Sequence, residues 1–442
     1  MRNLALCLVL IALAVLPSCG DDEPAPQPAM ATITVGVQNS TTVQAVAGAN
    51  VILYNSSTGD AIRQALTGSN GQCSFSVDLG GASFGTFALR VSAQGYSPSP
   101  AVSANPVPFQ ANAGQTTQRS VSLTPSTLTD AGSISGKVEP AVDNMLVVAT
   151  LTNDTTAGYQ SVTGPDGSFV IFNLPYGSYS LKAIKKGYAC TSSPVVTISA
   201  SATSANATIS VSPAAGAVMR GALSINTTAG VVLPEYMDVT LLDPATMLPI
   251  PGLSVKALQA SNWAYTMTGI PAGTYKAWAT FGNDNLVMDP DWVRKNPGIL
   301  DVSLTNLQDL TKNFNTTPSF VTITPSNPLT NLEPAKITNL IPTFQWKQPS
   351  TASSANYLVI EVRDADGATI WGGFANNSLN PTNNLQIPKG DGSILFNSDG
   401  KALKALEIGK TYQWKMYAVN SKDSILLSVS EDQQGLFTIV AP

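Results

Sequence analysis

The residues best suited to chemistry fall in one polar stretch, Asn283 to Trp292. Calcium takes six to eight oxygen ligands, and Asn283, Asp284, Asp289 and Asp291 offer amide or carboxylate oxygens within nine residues. Their spacing follows no standard calcium loop, and a solvated turn opening on Asp289-Pro290 is the plainer reading. Trp263, Trp278 and Trp292 are the candidate ligand-binding aromatics, because an indole face can stack on a sugar and an exposed Trp is costly unless covered. Packing between domains would cover them equally well. The chain has no histidine, which excludes Ser-His-Asp and Cys-His catalysis and every His-ligated zinc or iron site. Paired carboxylates would be the fallback for a hydrolase. The acidic residues, however, sit mostly in turns, and only seven are Glu. No GxxxxGK[ST] or GxGxxG phosphate loop occurs.

A repeated pattern must position these residues. In its clearest copy, Asp166-Gly167 is a turn, Phe169, Ile171 and Asn173 alternate, and Leu174-Pro175-Tyr176-Gly177 turns the chain. Tyr179, Leu181 and Ala183 alternate back to Gly187-Tyr188. Two period-2 runs around a Gly-containing turn predict a β-hairpin. An earlier copy runs through Gly71, Cys73, Phe75, Val77, Gly85, Phe87, Leu89 and Val91 to Gly95-Tyr96. Cys73, in the place of Phe169, is expected to be a buried, inert thiol. The third copy is degenerate. Gly269 to Gly273 matches Asn173 to Gly177, Trp263 stands where the turn glycine Gly167 stood, and Asn283-Asp284 replaces Gly-Tyr. Trp278 lies on the face opposite Tyr275 and Ala277. Early strands Ala49 to Leu53 and Leu146 to Ala149 precede the first two copies.

This arrangement resembles the carboxypeptidase regulatory-like domain, which implies a small β-sandwich of transthyretin-like topology and an accessory rather than catalytic role. The C-terminal part has another rhythm. Phe344 and Trp346, Tyr357 to Val362, and Tyr412 to Met416 resemble strands of a fibronectin type III-like sandwich. Leu406, Gly409 and Tyr412 are similar to a tyrosine corner, in which the phenol bonds to upstream backbone. Trp346, Trp414 and Met416 then read as core, and Asp364 to Gly367 as a hairpin turn.

The N-terminus carries an address. Leu4 to Leu16 is an apolar run of thirteen residues, short of the roughly twenty needed to span a membrane but suited to a signal peptide. Leu16-Pro17-Ser18-Cys19 resembles a bacterial lipobox, which implies lipidation of Cys19. Asp21, Asp22 and Glu23 resemble the surface-export signal of Bacteroidota lipoproteins, and the prolines up to Pro28 suit an extended tether. Cys73 and Cys190 fall in different repeats, so no disulfide is expected between them.

Composition agrees. Of 442 residues, 43% are hydrophobic and only 12% charged, too apolar for a disordered chain. The net charge of −5 and the lack of a basic run argue against nucleic acid as a partner. The expectation is an all-β chain of tandem small β-sandwiches after a lipoprotein signal peptide. It comprises a signal peptide over 1–18, a tether over 19–30, transthyretin-like units over 31–128 and 129–213, a degenerate third repeat over 214–317, and a fibronectin type III-like unit over 318–442. Each unit would bury its own core, giving a rod. The expected role is non-catalytic, in adhesion, scaffolding or ligand display. The expected place is the outer membrane, lipid-anchored and facing outward, with a surface protein or glycan as partner. The alternative is a glycan-binding accessory lipoprotein of an outer-membrane uptake system, and a secreted hydrolase ranks last. No cofactor is required, and calcium is the one candidate.

Overall fold

Alternating burial appears at once in Met30–Asn39, where Ala31, Ile33, Val35 and Val37 point inward and the residues between them do not. The computed structural model describes residues 29–101, 106–225, 233–279, 285–296, 298–328, 332–375, 378–431 and 433–442. Cys19, Asn283 and Asp284 lie outside the described residues. No described helix is long and apolar enough to cross a membrane.

Three stretches of chain repeat one strand order. In the first, Gln72–Asp78, Met30–Asn39 and Thr116–Leu123 form one sheet. Ala61–Leu66, Asn50–Asn55, Phe84–Ser92 and Phe109–Asn112 form the other. The second repeats this with Ser168–Pro175, Ala131–Glu139 and Ser204–Pro213, facing Asp154–Val162, Leu146–Leu151, Gly177–Ile184 and Val195–Ile198. The third has Ala264–Ile270, Ala217–Ile225 and Phe314–Pro318 facing Pro249–Leu258, Tyr236–Leu242, Gly273–Ala279 and Asp301–Leu304. In each, the opening strand runs parallel to the closing one. Gly136 and Gly221 sit in these opening strands, where a Cβ would collide with the carbonyl oxygens of Ala207 and Lys312 on the parallel neighbour. The chain is therefore a series of tandem small β-sandwiches, three sharing one topology.

The hairpin expected at each Gly-containing turn is corrected by this topology. Ser168–Pro175 pairs with Ala131–Glu139, whereas Gly177–Ile184 pairs with Leu146–Leu151 in the opposite sheet. The turn is a crossover between layers. Phe169 and Ile171 on one side and Tyr179 and Leu181 on the other meet in one core, which strands of a single layer could not do. The Tyr179 hydroxyl clamps the crossover by donating to the Pro175 carbonyl at 2.6 Å, and Tyr275 repeats the bond to Pro271 at 2.6 Å.

The C-terminal sandwich packs Val321–Thr324, Thr343–Lys347 and Gly392–Leu395 against a larger sheet built on Tyr357–Asp364 and Thr411–Asn420. Trp346, Trp414 and Met416 are buried in its core. The Glu407 amide donates to the Tyr412 hydroxyl at 3.0 Å, the bond expected of a tyrosine corner. Asp364 to Gly367 closes a hairpin through the Gly367 amide and the Asp364 carbonyl.

The sandwiches are not separate beads, and the expected rod of self-contained units is corrected here. Val51 and Leu53 fill the first sandwich's own core, while Ile52 and Tyr54, alternating with them, join a second apolar cluster. In the second sandwich Val147 and Ala149 point inward, and Leu146 and Val148 join that same cluster. Its body is the core of the third sandwich, including Met219, Leu241 and Met267. The outward faces of the first two sandwiches are thus continuous with the core of the third. Ile52→Ala should cost about 2–5 kcal/mol, the range for an aliphatic truncation in a core. Calorimetry should show it lowering a transition shared by all three repeats; a lone shift of the first sandwich would oppose the shared core.

Candidate functional site

The loop residues singled out in the sequence have structural duties wherever they are described. Trp263 is 8% exposed and lies inside the shared apolar cluster, so it is no surface platform. Its backbone keeps the turn geometry of the repeat, with φ of 59° against 75° at Gly167 and 72° at Gly71. Such a conformation is uncommon for a bulky residue, and burial of the indole offsets its cost. Trp292 and Trp278 are half-buried against the same cluster. Asp289 caps the short helix Pro290–Lys295, its carboxylate accepting from the amides of Asp291 at 3.0 Å and Trp292 at 3.1 Å. Asp291 pairs with Arg294 at 2.9 Å and Lys295 at 2.8 Å. Among the described residues, no three His, Cys, Asp or Glu side chains converge on a common metal position.

Cys73 and Cys190 are free thiols in different sandwiches. Cys73 is half-buried, and burial pushes its pKa up to about 11, so the thiolate is scarce at neutral pH.

An intermodular cleft of about 860 Å³ opens among the described residues. Three sheet faces build it. The first sandwich contributes the outward residues Tyr54, Ala88 and Arg90; register places Tyr54 opposite Ala88, and Ile52 opposite Arg90. The third contributes Trp278, Leu242 and the turn around Met247. The C-terminal sandwich contributes Arg363, Gln413 and Lys415 from paired strands. Of the proposed aromatics, only Trp278 reaches this cleft.

Electrostatics in and around the cleft are shaped by burial. Desolvation pushes the Tyr54 phenol up and lowers the pKa of Arg90, while their mutual attraction works against both shifts. The Arg90 guanidinium donates to the Ala101 carbonyl at 3.4 Å. Arg363 is fixed by Glu361, whose carboxylate accepts from Arg363 at 2.8 Å, Thr369 at 2.6 Å and Tyr417 at 2.7 Å. Burial pushes Glu361 up, but these donors and the Arg363 charge outweigh it and hold the carboxyl below its ordinary range. Sequence reasoning missed Arg90, Arg363 and Tyr54. In a strand, an outward charged or aromatic residue looks the same whether it meets water or a neighbouring module.

The contact between the first and third sandwiches also holds two carboxyls. Burial raises Asp60 to about 6, hydrogen bonds from Thr58 and Gly252 oppose the shift, and the charge of Asp238 adds to it. Burial also raises Asp238 to about 6, against the attraction of Lys256.

No protein-family model matches the chain, and no curated protein is similar enough to count as a relative. Solved structures resemble it only distantly. The TIE protein of Bacillus anthracis shares 12% identity over 65% of this chain, which spans 51% of that protein's length, with a TM-score of 0.17. The minor pilin of Streptococcus agalactiae shares 11% over 45% of this chain and 99% of its own, with a TM-score of 0.21. Two B repeat units of the collagen-binding protein of Staphylococcus aureus share 10% over 93% of this chain and 100% of their own, with a TM-score of 0.18. Fold and site together define the class from within: an all-β protein of tandem sandwiches docked around an intermodular cleft.

Two expectations follow. Asp289→Ala should destabilise the chain by about 0.5–2 kcal/mol through loss of a helix cap, equally in chelator and in calcium. A loss seen only with calcium present would restore the metal reading. For Asp60 and Asp238, the folded pKa values exceed the unfolded ones. Their contribution is therefore fully present below about 3.9, the unfolded value, and is lost as the pH rises through about 6. Denaturation midpoints across that window should fall less steeply with rising pH in Asp238→Asn than in the wild type. Parallel curves would deny the interface this role.

Proposed function

We propose that the chain is a lipid-anchored protein of the outer membrane, facing outward, that works by binding rather than catalysis, in adhesion, scaffolding or ligand display. The carrying observation is the shared apolar core of the first three sandwiches. It commits outward sheet faces to mutual docking and turns separate modules into one stiff body that can hold a partner under load. The lipobox-like Leu16 to Cys19 supplies the attachment, and the acidic Asp21 to Glu23 the outward orientation. The tether up to Pro28 separates the folded body from the bilayer. Glycan binding in service of an uptake system is the second reading, favoured by one observation: Trp278 lines the cleft.

Anchoring is checked by metabolic labelling with a fatty-acid analogue. The wild type should incorporate label, and Cys19→Ser should lose it and leave the membrane fraction; an unlabelled wild type would remove the anchor from the proposal. Replacing Asp21, Asp22 and Glu23 by Ala should keep the lipid but reduce protease accessibility on intact cells.

A further inference from the structure

A strand at the edge of a sheet presents main-chain N–H and C=O groups that another chain can pair with, and proteins ordinarily blunt such an edge. In the second sandwich the edge strand Ser168–Pro175 is blunted by polar side chains. Gln64 of the first sandwich donates to the Ser168 carbonyl at 2.9 Å, Asn50 donates to the Val170 carbonyl at 3.4 Å, and Asp166 accepts from the Ser168 amide at 3.1 Å. The matching edge of the first sandwich is Gln72–Asp78. Here Gln72, Ser74, Ser76 and Asp78 are all exposed, and the strand carries no Lys, Pro or bulge. The Val37 amide donates to the Gly71 carbonyl at 2.8 Å and the Leu79 amide to the Ala29 carbonyl at 2.9 Å, which sets the phase of its pairing with Met30–Asn39. Odd-numbered residues bond to that strand, so the N–H and C=O groups of Ser74 and Ser76 point out of the sheet edge. Among the described residues nothing bonds them. The opposite edge of the sheet, Thr116–Leu123, is by contrast tied to the C-terminal sandwich through Arg119 and Glu333.

We propose that this edge pairs with the same edge of a second copy of the chain, Gln72–Asp78 antiparallel to Gln72–Asp78 about a two-fold axis at Phe75. The strand reads alike in both directions: a serine flanks Phe75 on each side, then an apolar residue (Cys73, Val77), then a polar one (Gln72, Asp78). Ser74 therefore falls opposite Ser76 of the second copy, and each such pair exchanges two N–H···O bonds that satisfy the groups left open. The side chains agree with the backbone. Phe75 meets Phe75, Cys73 meets Val77, and Gln72 meets Asp78, so no like charges oppose. Cys73 is the half-buried member of the inward row, and Val77 of the second copy would cover it. An isologous contact of this kind closes at a dimer and does not propagate into a fibre. A seam so short is at the weak end of specific interfaces. Copies held in one membrane by the proposed anchor gain effective concentration, which offsets that weakness. The inference goes beyond the proposed function by naming the chain itself as a partner.

The test is sedimentation of the full chain in its lipid-free Cys19→Ser form, from about 1 to about 500 µM, a range that brackets a dimer of micromolar to sub-millimolar Kd. With the edge intact, the mass should rise from monomer toward dimer. Ser74→Pro and Ser76→Pro each remove an N–H that the chain's own sheet does not use, so the fold is kept. Association should weaken at least about tenfold in each. Thr266→Pro, on the edge strand Ala264–Ile270 of the third sandwich, should leave it unchanged. Melting curves show whether each variant folds, and cross-linking tests the register without proline. In Val77→Cys the new thiol should lie across the seam from Cys73 of the second copy, in a non-hydrogen-bonded pair with about 4.5 Å between Cα atoms, within disulfide reach. Within one chain the two positions are about 13 Å apart along the strand and cannot bond. Oxidation by copper-phenanthroline, with Cys190→Ser in the background, should therefore give a covalent dimer joined from 73 to 77. A chain monomeric at every concentration, folded proline variants that associate as before, or an absent cross-link would overturn the pairing. So would loss of the dimer in Thr266→Pro alone. Because the assay uses lipid-free protein, its failure is distinct from failure of the anchoring experiment.

Discussion

One strand serving two cores is the constraint on which this structure depends. In Asn50–Asn55 and Leu146–Leu151, consecutive residues point to opposite faces and both faces are apolar. The inward set closes each sandwich. The outward set could not be left in water without exposing a large apolar patch, and the third sandwich covers it. Truncating the chain after the second repeat would therefore strip cover from Ile52, Tyr54, Leu146 and Val148 together. Stability of the first two sandwiches is tied to a unit that begins many residues later in sequence.

Apolar contact is non-directional, so something else must fix how the sandwiches meet. Directional polar bonds do so at several points. The Asn173 side chain accepts from the Gly95 amide at 2.9 Å and donates to the Ala93 and Tyr96 carbonyls at 2.8 Å, reading the end of the first repeat from the crossover of the second. Asn50 donates to Ser161 at 3.0 Å within the same contact. Between the second and third sandwiches, Lys182 meets the fully buried Asp243 at 2.6 Å, and the Gly187 amide bonds the Gly269 carbonyl at 2.7 Å. Asp243 also accepts the amides of Ala245 and Thr246 at 3.0 Å. A buried charge paired in this way favours one docking geometry more than it adds stability. The repeat glycines Gly187 and Gly269 are thus both turn elements and docking points.

How much of this was legible depends on which force governed each residue. Local alternation marked the inward positions, so Phe169, Leu181, Trp346 and Trp414 were found as core without knowledge of any partner. The same alternation could not say whether two adjacent runs pair with each other or cross between layers, and the crossover at Gly177 was read as a hairpin. The repeat was regular enough to align Trp263 with Gly167, and the backbone there is indeed left-handed. An indole in a turn need not face water: Trp263 is buried in the apolar cluster built on the third sandwich. The unbroken apolar runs Val51 to Tyr54 and Leu146 to Ala149 were the available sign of double burial, because a half-exposed strand alternates. Arg90 and Arg363 carried no comparable sign. Their significance comes from meeting across sandwiches far apart in sequence.

The cleft exists because the C-terminal sandwich turns a polar face toward the others. On its larger sheet, register places Glu361 opposite Lys415 and Arg363 opposite Gln413, so that face carries charge where the first two sandwiches carry Ile52 and Val148. Glu361 and Lys415 are already buried on this face, with Glu361 satisfied by Arg363, Thr369 and Tyr417, so its ionised groups are paired within the sheet rather than set against an apolar neighbour. Attachment is instead made at the margins. Glu333 accepts from the Gln110 amide and from Arg119, both at 3.0 Å. Ser428 donates to the Pro318 carbonyl at 2.6 Å. Held at its edges and kept apart at its centre, the junction stays open, and what faces the space is the pairing of a polar sheet with Trp278 and Arg90. The opening is a consequence of that mismatch in polarity.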